Sequence, residues 1–509
     1  MNGVPAPSGR KPRSRWWRNL LVATTLLGLV ACILYGRSAF HVLTTSWNDA
    51  DTRIPLPQGQ VDDASRLEAT DVAQVWRMPI SQQDPEGQLS ELLKRAQRQG
   101  QRVSIAGARH SMGGHTIYPG GLVIDMSPWQ HMELDHDRQV LTVGAGARWS
   151  DIIPYLDSHG FSVAVMQSDN DFSVGGSISV NCHGWQHGSP PIASTVQAFR
   201  IMLANGEVRR CSRYENSRLF THALGGYGLF GVILDAELRV VPNQSYRLHQ
   251  TIVPVADFVP VVEKWEQSLS GLEMLYGRLN VDPENLLSQV VVNAYVTDDG
   301  DIPPLEPPDN DSIQRDIFRG SEGSDYGKAL RWRAESKWLP LLSSEVWSRN
   351  QLLNGSAELH ENRNEETTDI LHEYFIPRAH VASFIVKLRE IVVDHQADLL
   401  NVTIRDVRTD HDTALRYADQ DMIALVMLFV QERSLHGEQG MKLMTSALID
   451  AALNLDGCYY LPYRLHASQQ QFATAYPQAG DFFATKRHFD PHELFQNKFY
   501  IKYGQSDSR

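Results

Sequence analysis

Two glycine-rich stretches carry the residues of this chain that are best suited to chemistry. The first, residues 102–115, reads Arg-Val-Ser-Ile-Ala-Gly-Ala-Arg-His-Ser-Met-Gly-Gly-His, and the second, residues 173–184, reads Ser-Val-Gly-Gly-Ser-Ile-Ser-Val-Asn-Cys-His-Gly. Glycine lets a backbone turn sharply and bring its amide groups close to an anion. The two stretches therefore predict a pair of turns that grip a phosphate or pyrophosphate from both sides.

These stretches resemble the motifs of FAD-linked oxidases of the vanillyl-alcohol oxidase type, which share a PCMH-type FAD-binding domain. In that superfamily the first motif ends in His-Ser, as at His110 and Ser111 here, and the second contains Val-Gly-Gly, as at 174–176. The Arg-His-Ser form is most similar to the alditol and sugar-1,4-lactone oxidases. Cytokinin dehydrogenases and decaprenylphosphoryl-ribose oxidases are also similar. The resemblance covers residues 71–243 and a short C-terminal piece, and it implies FAD as the cofactor.

The resemblance also implies which residues bind FAD. They lie in the two glycine turns, in the His-Gly pair after the second turn and at the start of a later strand: Ala106, Gly107, Ala108, Arg109, His110, Ser111, Gly113, Gly114, Val174, Gly175, Gly176, Ser177, Ser179, His183, Gly184, Gly231, Val232 and Ile233. His110 matches the position at which these families attach the flavin 8α-carbon to an imidazole, so we expect a covalent bond there. The alternative is that His110 only forms hydrogen bonds within the turn.

A third glycine-rich stretch, Gly226-Tyr-Gly-Leu-Phe-Gly231, satisfies the dinucleotide fingerprint G-x-G-x-x-G. In a Rossmann unit that pattern follows a strand and opens a helix. Here a helical segment, 216–223, precedes it and a strand, 231–241, follows. We therefore assign the stretch to the flavin domain, with an NAD-dependent enzyme as the alternative.

Candidate catalytic residues come from two later regions. Polar and apolar residues alternate from Leu400 to Arg405, which predicts a strand whose polar face looks into solvent or into a substrate cavity. Related oxidases place substrate-contacting arginines on such strands, so the resemblance makes Arg405 a candidate electrophile and substrate anchor. Arg464 and His466 lie where sugar-lactone oxidases have His-Trp-Gly-Lys, although the Trp and Lys are absent here. Lys498 is a further candidate, for proton transfer or for balancing charge at flavin N1.

The elements that would position these residues are short helices and strands in mixed order. Helices are predicted over 89–96, 149–159, 216–223, 381–392 and 441–453, and strands over 103–106, 122–126, 140–143, 199–204, 207–211, 231–241, 400–407 and 422–430. This mixture predicts an α+β fold rather than strict β-α-β alternation. The resemblance implies a two-part FAD-binding domain and an α+β cap domain that covers the flavin ring.

The predicted organisation has five parts. These are a cytoplasmic basic tail and transmembrane anchor at 1–43, a linker at 44–66, the FAD-binding domain at 67–244, the cap or substrate domain at 245–461 and a C-terminal return to the FAD-binding domain at 462–509. An acidic, proline-rich insertion in the cap, 298–325, is predicted to be a mobile surface loop.

Composition excludes several classes of protein. Hydrophobic residues make up 42% of the 509 positions and charged residues 21%, which is typical of a globular protein. Of the 47 basic side chains five lie before Asn19, where there is no acidic one, so the rest of the chain has 42 basic against 60 acidic side chains and is strongly acidic. An acidic body makes nucleic acid an unsuitable partner.

Four cysteines without Cys-x-x-Cys spacing predict neither a disulfide framework nor a structural metal site.

An uncharged run, Leu20 to Tyr35, follows the basic cluster and the pair Trp16 and Trp17. The run is near the short end of the ~17–25 residues that span a bilayer. We interpret it as a single-pass anchor of a bacterial-type inner membrane, with the N-terminus cytoplasmic and the body periplasmic. A cleaved signal peptide and a lipoprotein signal ending at Cys32 are the alternatives.

These features predict a membrane-anchored, FAD-dependent oxidoreductase. The expected substrate is a CH-OH group of a polyol, sugar or aldonolactone, and oxygen or a membrane quinone would take the electrons. Two alternatives stay open at this point. One is oxidation of a CH-NH group, as in cytokinin dehydrogenases, and the other is a flavin-binding scaffold without turnover.

Overall fold

The structure is a computed structural model of the chain. It describes residues 36–80, 83–308, 312–338 and 346–505. The predicted transmembrane run, Leu20 to Tyr35, and Cys32 lie outside the described residues. Among the described helices, none is both long and apolar enough to cross a membrane.

The α-helices are distributed over the whole described chain. They are α1 (36–48), α2 (Pro85–Arg98), α3 (Trp149–Asp157), α4 (Val174–Ser179), α5 (Ser217–Ala223), α6 (Phe258–Ser268), α7 (Ser312–Arg319), α8 (Asp325–Arg333), α9 (Arg349–Leu353), α10 (Val381–Asp394), α11 (Leu435–Leu453), α12 (Gln469–Ala475), α13 (Ala479–Phe489) and α14 (Lys498–Tyr503). Shorter helical turns of 3₁₀ or π type lie at Ile192–Thr195, Val255–Asp257, Pro283–Asn285, Ala334–Trp338, Ala357–Leu359 and Arg378–His380.

The strands fall into a first group before residue 243 and a second group after it. The first group is β1 (Gln60–Val61), β2 (Thr70–Asp71), β3 (Gln74–Arg77), β4 (Val103–Ala106), β5 (Leu122–Asp125), β6 (Met132–Asp135), β7 (Val140–Gly144), β8 (Phe161–Val163), β9 (Val196–Met202), β10 (Val208–Ser212) and β11 (Val232–Pro242). The second group is β12 (Ser245–Pro254), β13 (Leu272–Leu279), β14 (Gln289–Asp298), β15 (Val346–Ser348), β16 (Thr367–Pro377), β17 (Asp398–Val407), β18 (Met422–Glu432) and β19 (Cys458–Tyr459).

The first group forms two sheets that support the glycine turns. β4 and β3 lie parallel to β5, on either side of it, so the turn after Ala106 leaves the C-terminal edge of a small parallel sheet. The second sheet is antiparallel, in the order β10-β9-β11-β7-β6. Its β9–β10 hairpin turns at Asn205 and Gly206, and Gly206 has a positive φ. An Asn-Gly pair favours such a turn.

The second group forms one antiparallel sheet, which we call the cap sheet. Its order is β15-β12-β14-β13-β17-β18-β16-β19, and every pairing in it is antiparallel. The central strand β18, with the sequence MIALVMLFVQE, is buried over almost its whole length because helices cover one face of the sheet and the first domain meets the other. Together the two groups confirm the predicted α+β class.

The sequence predicts a mobile loop at the acidic insertion, 298–325, but the described part of the insertion has an ordered structure. It contains α7, and the side chains of Phe318 and Arg319 at the end of that helix are buried. Arg319 forms a 2.6 Å ion pair with Asp369 on β16. Two contacts explain why this polar sequence lies against the cap sheet. Arg319 forms an ion pair with a buried carboxylate, and the aromatic side chain of Phe318 is buried.

The segment predicted as a linker, 44–66, also makes specific contacts. Its first residues belong to α1, which packs on the insertion: His41 Nε2 lies 2.8 Å from the carbonyl oxygen of Gly320, and Ser38 Oγ lies 2.8 Å from Tyr326 Oη. Further along, Arg53 forms an ion pair with Glu361 of the cap. The segment therefore joins the insertion to the glycine turn instead of running free between two domains.

Candidate functional site

The two glycine turns meet in the folded chain. The amide of Ala108 in the first turn donates a 3.3 Å hydrogen bond to Ser173 Oγ, at the start of the second. A Cβ on Gly107 would overlap that same Ser173 oxygen, so a larger residue here would displace the Ser173 hydroxyl. The approach of the two turns creates a narrow cavity between the parallel sheet, α4 and the cap sheet, which we call the cofactor cavity.

Most of the residues predicted to bind FAD line the cofactor cavity. They are Ala106, Gly107, Ala108, Arg109, His110, Ser111, Gly175, Gly176, Ser177, Ser179, His183, Gly231 and Ile233. Val174, Gly184 and Val232 are not among the lining residues, although each is a chain neighbour of one that is. The turn at Tyr227, Gly228 and Gly231 also borders the cavity, after α5 and before β11, in the order opposite to that of a Rossmann unit.

Gly113 and Gly114 differ from their predicted role at a cofactor phosphate. Their backbone amides donate hydrogen bonds of 3.0 and 2.5 Å to Asp63 Oδ2, and Ser111 Oγ donates a third, of 3.0 Å, to the same oxygen. The acceptor that this part of the turn binds is therefore a buried carboxyl group of the chain itself, whose pKa burial raises while these hydrogen bonds oppose the rise. The amide of Gly175 is also unavailable to a phosphate, because it donates a 2.8 Å hydrogen bond to the carbonyl oxygen of Ala145.

His110 lies at the junction of the cofactor cavity with a second cavity. Its ring centroid is 4.8 Å from that of Phe172. Burial lowers the pKa of His110, and the nearby carboxylate of Asp171 only partly opposes this effect. The imidazole is therefore neutral near pH 7, with a lone pair on one ring nitrogen.

The cap sheet contributes Arg405 and Glu373 to the wall of the cofactor cavity, and Arg405 also borders the second cavity. Arg405 on β17 donates a 2.8 Å hydrogen bond to Ser168 Oγ and a 3.4 Å hydrogen bond to the carbonyl oxygen of His183. Glu373 on β16 lies with Oε1 2.5 Å from His183 Nε2 and accepts a 2.9 Å hydrogen bond at Oε2 from the hydroxyl of Tyr463. These five residues all line the cofactor cavity.

The protonation states of this cluster follow from its contacts. Burial raises the pKa of Glu373, but His183, Arg405 and Tyr463 outweigh burial and hold the pKa below its usual value, so Glu373 is a carboxylate. A carboxylate can only accept, so His183 carries its proton on Nε2. The buried Nδ1 of His183 has no hydrogen-bond partner among the described residues. When the ring is neutral, Nδ1 is the atom that can accept a proton.

Three predicted catalytic residues lie elsewhere. Arg464 forms ion pairs with Glu68 at 2.8 Å and with Glu438 at 2.5 Å, His466 lies 2.8 Å from Glu438, and Lys498 pairs with Glu68 at 2.5 Å. None of the three is among the described residues that line the cofactor cavity. The side chains of all three are already bound to Glu68 or Glu438. These contacts join the first domain to the cap, so the three residues stabilise the packing of the two parts.

Sequence reasoning missed Glu373 and Asp63. Glu373 sits in the strand TTDILHEYFIP, just before the apolar residues that end it, and is 3% exposed. A carboxylate in a strand with this pattern is itself a signal, because burying a charge without a partner is costly. Asp63 fell within the segment predicted as a linker, where the consecutive acids Asp62 and Asp63 gave no indication that both are buried.

The second cavity, which we call the polar chamber, has a volume of about 930 Å³ and joins the cofactor cavity. The two cavities share the side chains at the junction, which are Arg109, His110, Ser168, Asp169, Phe172, Leu371, Arg405 and Val426. Beyond the junction the chamber is bounded by the polar face of β17, at Asn401 and Thr403, and by side chains of the insertion and of the segment after α1. The polar face of this strand therefore looks into a cavity and not into solvent.

One cluster of possible metal ligands occurs among the described residues: His187, Glu266 and Asp406. Both carboxylates are already bound to arginines. Arg378 lies 2.9 Å from Glu266 and 2.6 Å from Asp406, and Arg408 lies 2.7 Å from Glu266. Burial lowers the pKa of His187, so the ring is neutral. We interpret the cluster as an ion-pair network.

The cofactor cavity fits FAD on the evidence of its own wall. Its glycines leave no room for side chains at the turn, and the backbone amides of Arg109 and His110 donate to no other described group, so they are available to an anionic ligand. Apolar side chains such as Ile105, Met126 and Ile233 provide a surface for a flat ring system. Burial raises the pKa of the nearby Cys182 thiol to about 12, so this cysteine stays protonated and unreactive at neutral pH.

Comparisons with known proteins agree with this fit. Residues 83–212 match the FAD binding domain family. The chain is 31% identical to L-gulonolactone oxidase of Mus musculus over 170 residues, which are 33% of this chain and 38% of that enzyme. It is 29% identical to D-arabinono-1,4-lactone oxidase of Yarrowia lipolytica over 192 residues, 37% and 36% of the two chains. It is 27% identical to cytokinin dehydrogenase 2 of Arabidopsis thaliana over 289 residues, 55% and 53%.

The matched regions thus cover roughly a third to a half of these relatives. Residues 83–212, the part of the chain that matches the FAD binding domain family, contain both glycine turns, whose meeting builds the cofactor cavity. The chain therefore contains a region similar to an FAD-binding domain, and sugar-lactone oxidases are among the proteins to which it is similar.

Proposed function

We propose that this protein is an FAD-dependent oxidoreductase that oxidises a CH-OH group of a polyol, sugar or aldonolactone. The single observation that carries the proposal is the cluster of Arg405, His183 and Glu373 on the wall of the cofactor cavity, in which Arg405 also borders the polar chamber. A guanidinium and a proton acceptor at one point are what oxidation of an alcohol requires. The names of the two lactone oxidases among the relatives support the same substrate class.

Oxidation of an alcohol removes one hydride from carbon and one proton from the hydroxyl oxygen. Bound FAD supplies the hydride acceptor, at N5 of its ring. Arg405 would hold the substrate oxygen and stabilise negative charge on it as the O–H bond breaks. His183 Nδ1 would take the proton, and the Glu373 carboxylate beside Nε2 would stabilise the imidazolium that forms. The C–O bond becomes a carbonyl, so atoms and charge balance.

We further propose that His110 forms a covalent bond to FAD. Its place on the cavity wall and its lowered pKa support this, because only a neutral imidazole has a lone pair with which to replace a hydrogen of the flavin 8-methyl group. The methyl C–H and the imidazole N–H would be lost as protons, and the two electrons would pass through the flavin to oxygen or a quinone. A covalent bond would prevent loss of the cofactor and raise its reduction potential, which favours taking a hydride from an alcohol.

The polar chamber supports an alcohol substrate over a flat amine. Its wall carries side-chain amides and hydroxyls, including those of Asn362, Asn401 and Thr403, which are suited to a compound rich in hydroxyl groups. The similarity to a cytokinin dehydrogenase and the aromatic rings of Trp185 and Tyr276 in the same wall keep CH-NH oxidation as the second candidate.

An anaerobic screen tests the proposal. Aldonolactones, polyols and N6-substituted adenines are mixed in turn with the FAD-bound protein, and flavin bleaching is followed. Bleaching by a lactone or polyol supports the proposal, and bleaching by adenines alone would replace it with CH-NH oxidation. Protein whose flavin is bleached by light but by none of these compounds would be a scaffold. Reoxidation with oxygen or with a soluble quinone then identifies the electron acceptor.

We also propose that the N-terminal region attaches the protein to a bacterial-type inner membrane, with the body periplasmic. The basic cluster and the apolar run before α1 support this. In α1 itself the side chains of Phe40, Leu43 and Trp47 are exposed. They share one helix face, because positions three and four apart are neighbours on a helix. The opposite face packs on the insertion. A row of exposed apolar side chains directly after the predicted anchor suits the lipid interface.

Protease treatment of spheroplasts tests the orientation. Digestion of the body in intact spheroplasts is the expected result. Protection of the body until the membrane is lysed would place it in the cytoplasm and overturn this proposal, while leaving the proposed enzyme activity untouched.

A further inference from the structure

The polar chamber contains an arginine, Arg278, that has no carboxylate partner among the described residues. Arg278, on β13, projects into it and donates hydrogen bonds only to neutral groups, the side-chain oxygens of Asn401 and Thr403. Among the described residues no carboxylate forms an ion pair with Arg278. A half-buried guanidinium without a counter-ion is costly unless a ligand supplies the negative charge.

The neighbouring arginines differ from Arg278 in this respect. Arg331 donates a 2.9 Å hydrogen bond to the same Asn401 oxygen and is paired with Glu335 at 2.8 Å. Arg319 is paired with Asp369, and Arg315 with Asp49, each at 2.6 Å. Of these four arginines, Arg278 alone lacks a carboxylate partner within the part of the chain that the structure describes.

His360 provides a second, independent indication. Its Nδ1 is buried and has no hydrogen-bond partner among the described residues. Burial, together with the charges of Arg278, Arg331, Arg319 and Arg315, lowers the pKa of His360 to about 3. A ring kept neutral by surrounding positive charge can still donate one N–H to an anion, and His360 lines the polar chamber.

Seven carboxylates line the polar chamber, those of Asp62, Asp63, Asp169, Asp171, Glu358, Glu361 and Asp369, and none of them forms an ion pair with Arg278. Glu361 and Asp171 have other partners. Glu361 pairs with Arg53 and with Arg363, the latter at 3.3 Å, and Asp171 accepts hydrogen bonds from Ser356 and the backbone amide of Ala357. They leave the positive charge of Arg278 unbalanced.

We propose that Arg278 and His360 form a subsite for an anionic group, a phosphate or a carboxylate, on the substrate. The proposal rests on the proposed function in taking the polar chamber as the place where the substrate binds. Arg278 lies opposite Thr403 and Tyr276 opposite Arg405 in the strand pairing, so Thr403 and Arg405 face the same side two residues apart. Two residues along a strand span roughly 7 Å. The anionic group would thus lie roughly that far from the carbon being oxidised, and the substrate would be an acidic sugar or polyol and not a neutral one.

Calorimetric titration of the FAD-bound protein in low salt tests this without any need for turnover. The ligands are D-sorbitol, D-gluconate and D-glucose 6-phosphate, which are neutral, carboxylated and phosphorylated respectively. We expect at least one of the two anions to bind about tenfold or more tightly than sorbitol, and which one does so identifies the group. Equal affinity of all three compounds would overturn the subsite.

The variant Arg278→Met should remove the advantage of the anion and leave sorbitol binding unchanged. Arg278→Lys should keep part of the advantage because it keeps the charge, and His360→Phe should lose a smaller part. The matched control is Arg247→Met, an exposed arginine of the same sheet that is paired with Asp298. Undiminished anion binding by Arg278→Met would contradict the assignment. Should Arg278→Met fail to fold, undiminished sorbitol binding with weakened anion binding in Arg278→Lys supports the subsite, and wild-type affinity for the anion in that variant counts against it.

The two proposals can fail separately. Anion binding that depends on Arg278, in a protein whose flavin none of the screened compounds bleaches, would support the subsite and remove the proposed oxidation. Bleaching by neutral polyols with no preference for anions would do the reverse.

Discussion

The Nε2 atom of His183 lies 2.5 Å from Oε1 of Glu373, and the two residues belong to different domains. His183 follows the second glycine turn, whereas Glu373 lies on a strand of the cap, 190 residues further along the chain. The proton acceptor of the proposed reaction is therefore complete only when the cap is seated on the FAD-binding domain.

Replacing Glu373 should separate proton transfer from folding. In Glu373→Gln the charge that stabilises imidazolium is lost while the shape is kept, so flavin reduction should slow by about 10²- to 10⁴-fold, the usual contribution of a general base. Stopped-flow bleaching measures this rate, and FAD content confirms that the site is intact. Glu366→Gln, at an exposed position just before the same strand, should react like the wild type. A wild-type rate in Glu373→Gln would rule out the assigned role.

Replacing His110 tests the covalent bond. Acid-precipitated wild-type protein should keep its yellow colour, and His110→Ala should bind FAD but release it on precipitation. Turnover of the variant should fall because the reduction potential of its flavin is lower. Wild-type protein that gives up all of its FAD in acid would leave only a non-covalent site.

The rate at which His110 becomes attached to FAD should depend on pH in a defined direction. Burial lowers the pKa of His110, so the reactive neutral form is present at and above its usual pKa of 6.5. Covalent incorporation of FAD into apoprotein should therefore be constant from pH 8 to 6.5 and decline only below that range. A decline that is already half complete at pH 7 would mean that the imidazole is protonated more easily than the structure indicates.

Asp63 should matter for folding and for FAD binding, although it does not contact the cofactor cavity. Asp63→Ala leaves the amides of Gly113 and Gly114 and the hydroxyl of Ser111 without their acceptor. Each unpaired buried donor costs about 1–3 kcal/mol. Urea unfolding should show the loss, together with weaker FAD retention, whereas Asp137→Ala, at an exposed position, should show neither. Unchanged stability of Asp63→Ala would disprove the role of this carboxylate in shaping the turn.

Glu438 should confer acid-sensitive stability. Burial raises its pKa, but hydrogen bonds from His466 and Arg464 outweigh burial and lower it to about 2 from its usual 4.5. Between these values the unfolded chain binds a proton that the folded chain does not, so the contribution is present above pH 4.5 and is lost as the pH falls toward 2. Thermal unfolding should find Glu438→Gln less stable than wild type at pH 7 and equal to it near pH 2. A difference that does not vary with pH would exclude this cause.

The sequence predicted much of the fold because local patterns determined it. The helix ending before Gly100, the Asn205-Gly206 hairpin and the alternation from Leu400 to Arg405 each follow from spacing within a few residues, and the structure has all three. The third glycine stretch was distinguished from a Rossmann turn by the order of its flanking elements, and that order is present.

What the sequence did not predict depends on contacts between distant residues. Glu373 meets His183 only through the seating of one domain on another, and Asp63 meets Gly113 and Gly114 from far along the chain. The resemblance to sugar-lactone oxidases makes Arg464 a catalytic candidate. The local sequence does not show that Glu68 and Glu438 are its partners. The insertion looked mobile because its polar residues pair with groups that are remote in sequence.

Contacts between residues distant in sequence also determine how much of the N-terminus can be deleted. Sequence alone predicts that residues 1–44 can be deleted, but Arg37 lies with its guanidinium 3.9 Å from the ring centroid of Tyr326, and His41 contacts Gly320. Deletion of 1–35 should therefore leave the melting temperature and FAD content unchanged, whereas deletion of 1–48 should lower the melting temperature. Equal stability of both truncated proteins would show that α1 contributes nothing.

Anaerobic flavin bleaching by the purified, FAD-bound protein tests the central claim most directly. The account predicts that an aldonolactone, sugar or polyol bleaches the wild-type flavin, and that Arg405→Met slows bleaching by the same compound strongly while the bound FAD is retained. Bleaching by N6-substituted adenines alone, or equal rates in wild type and Arg405→Met, would contradict it.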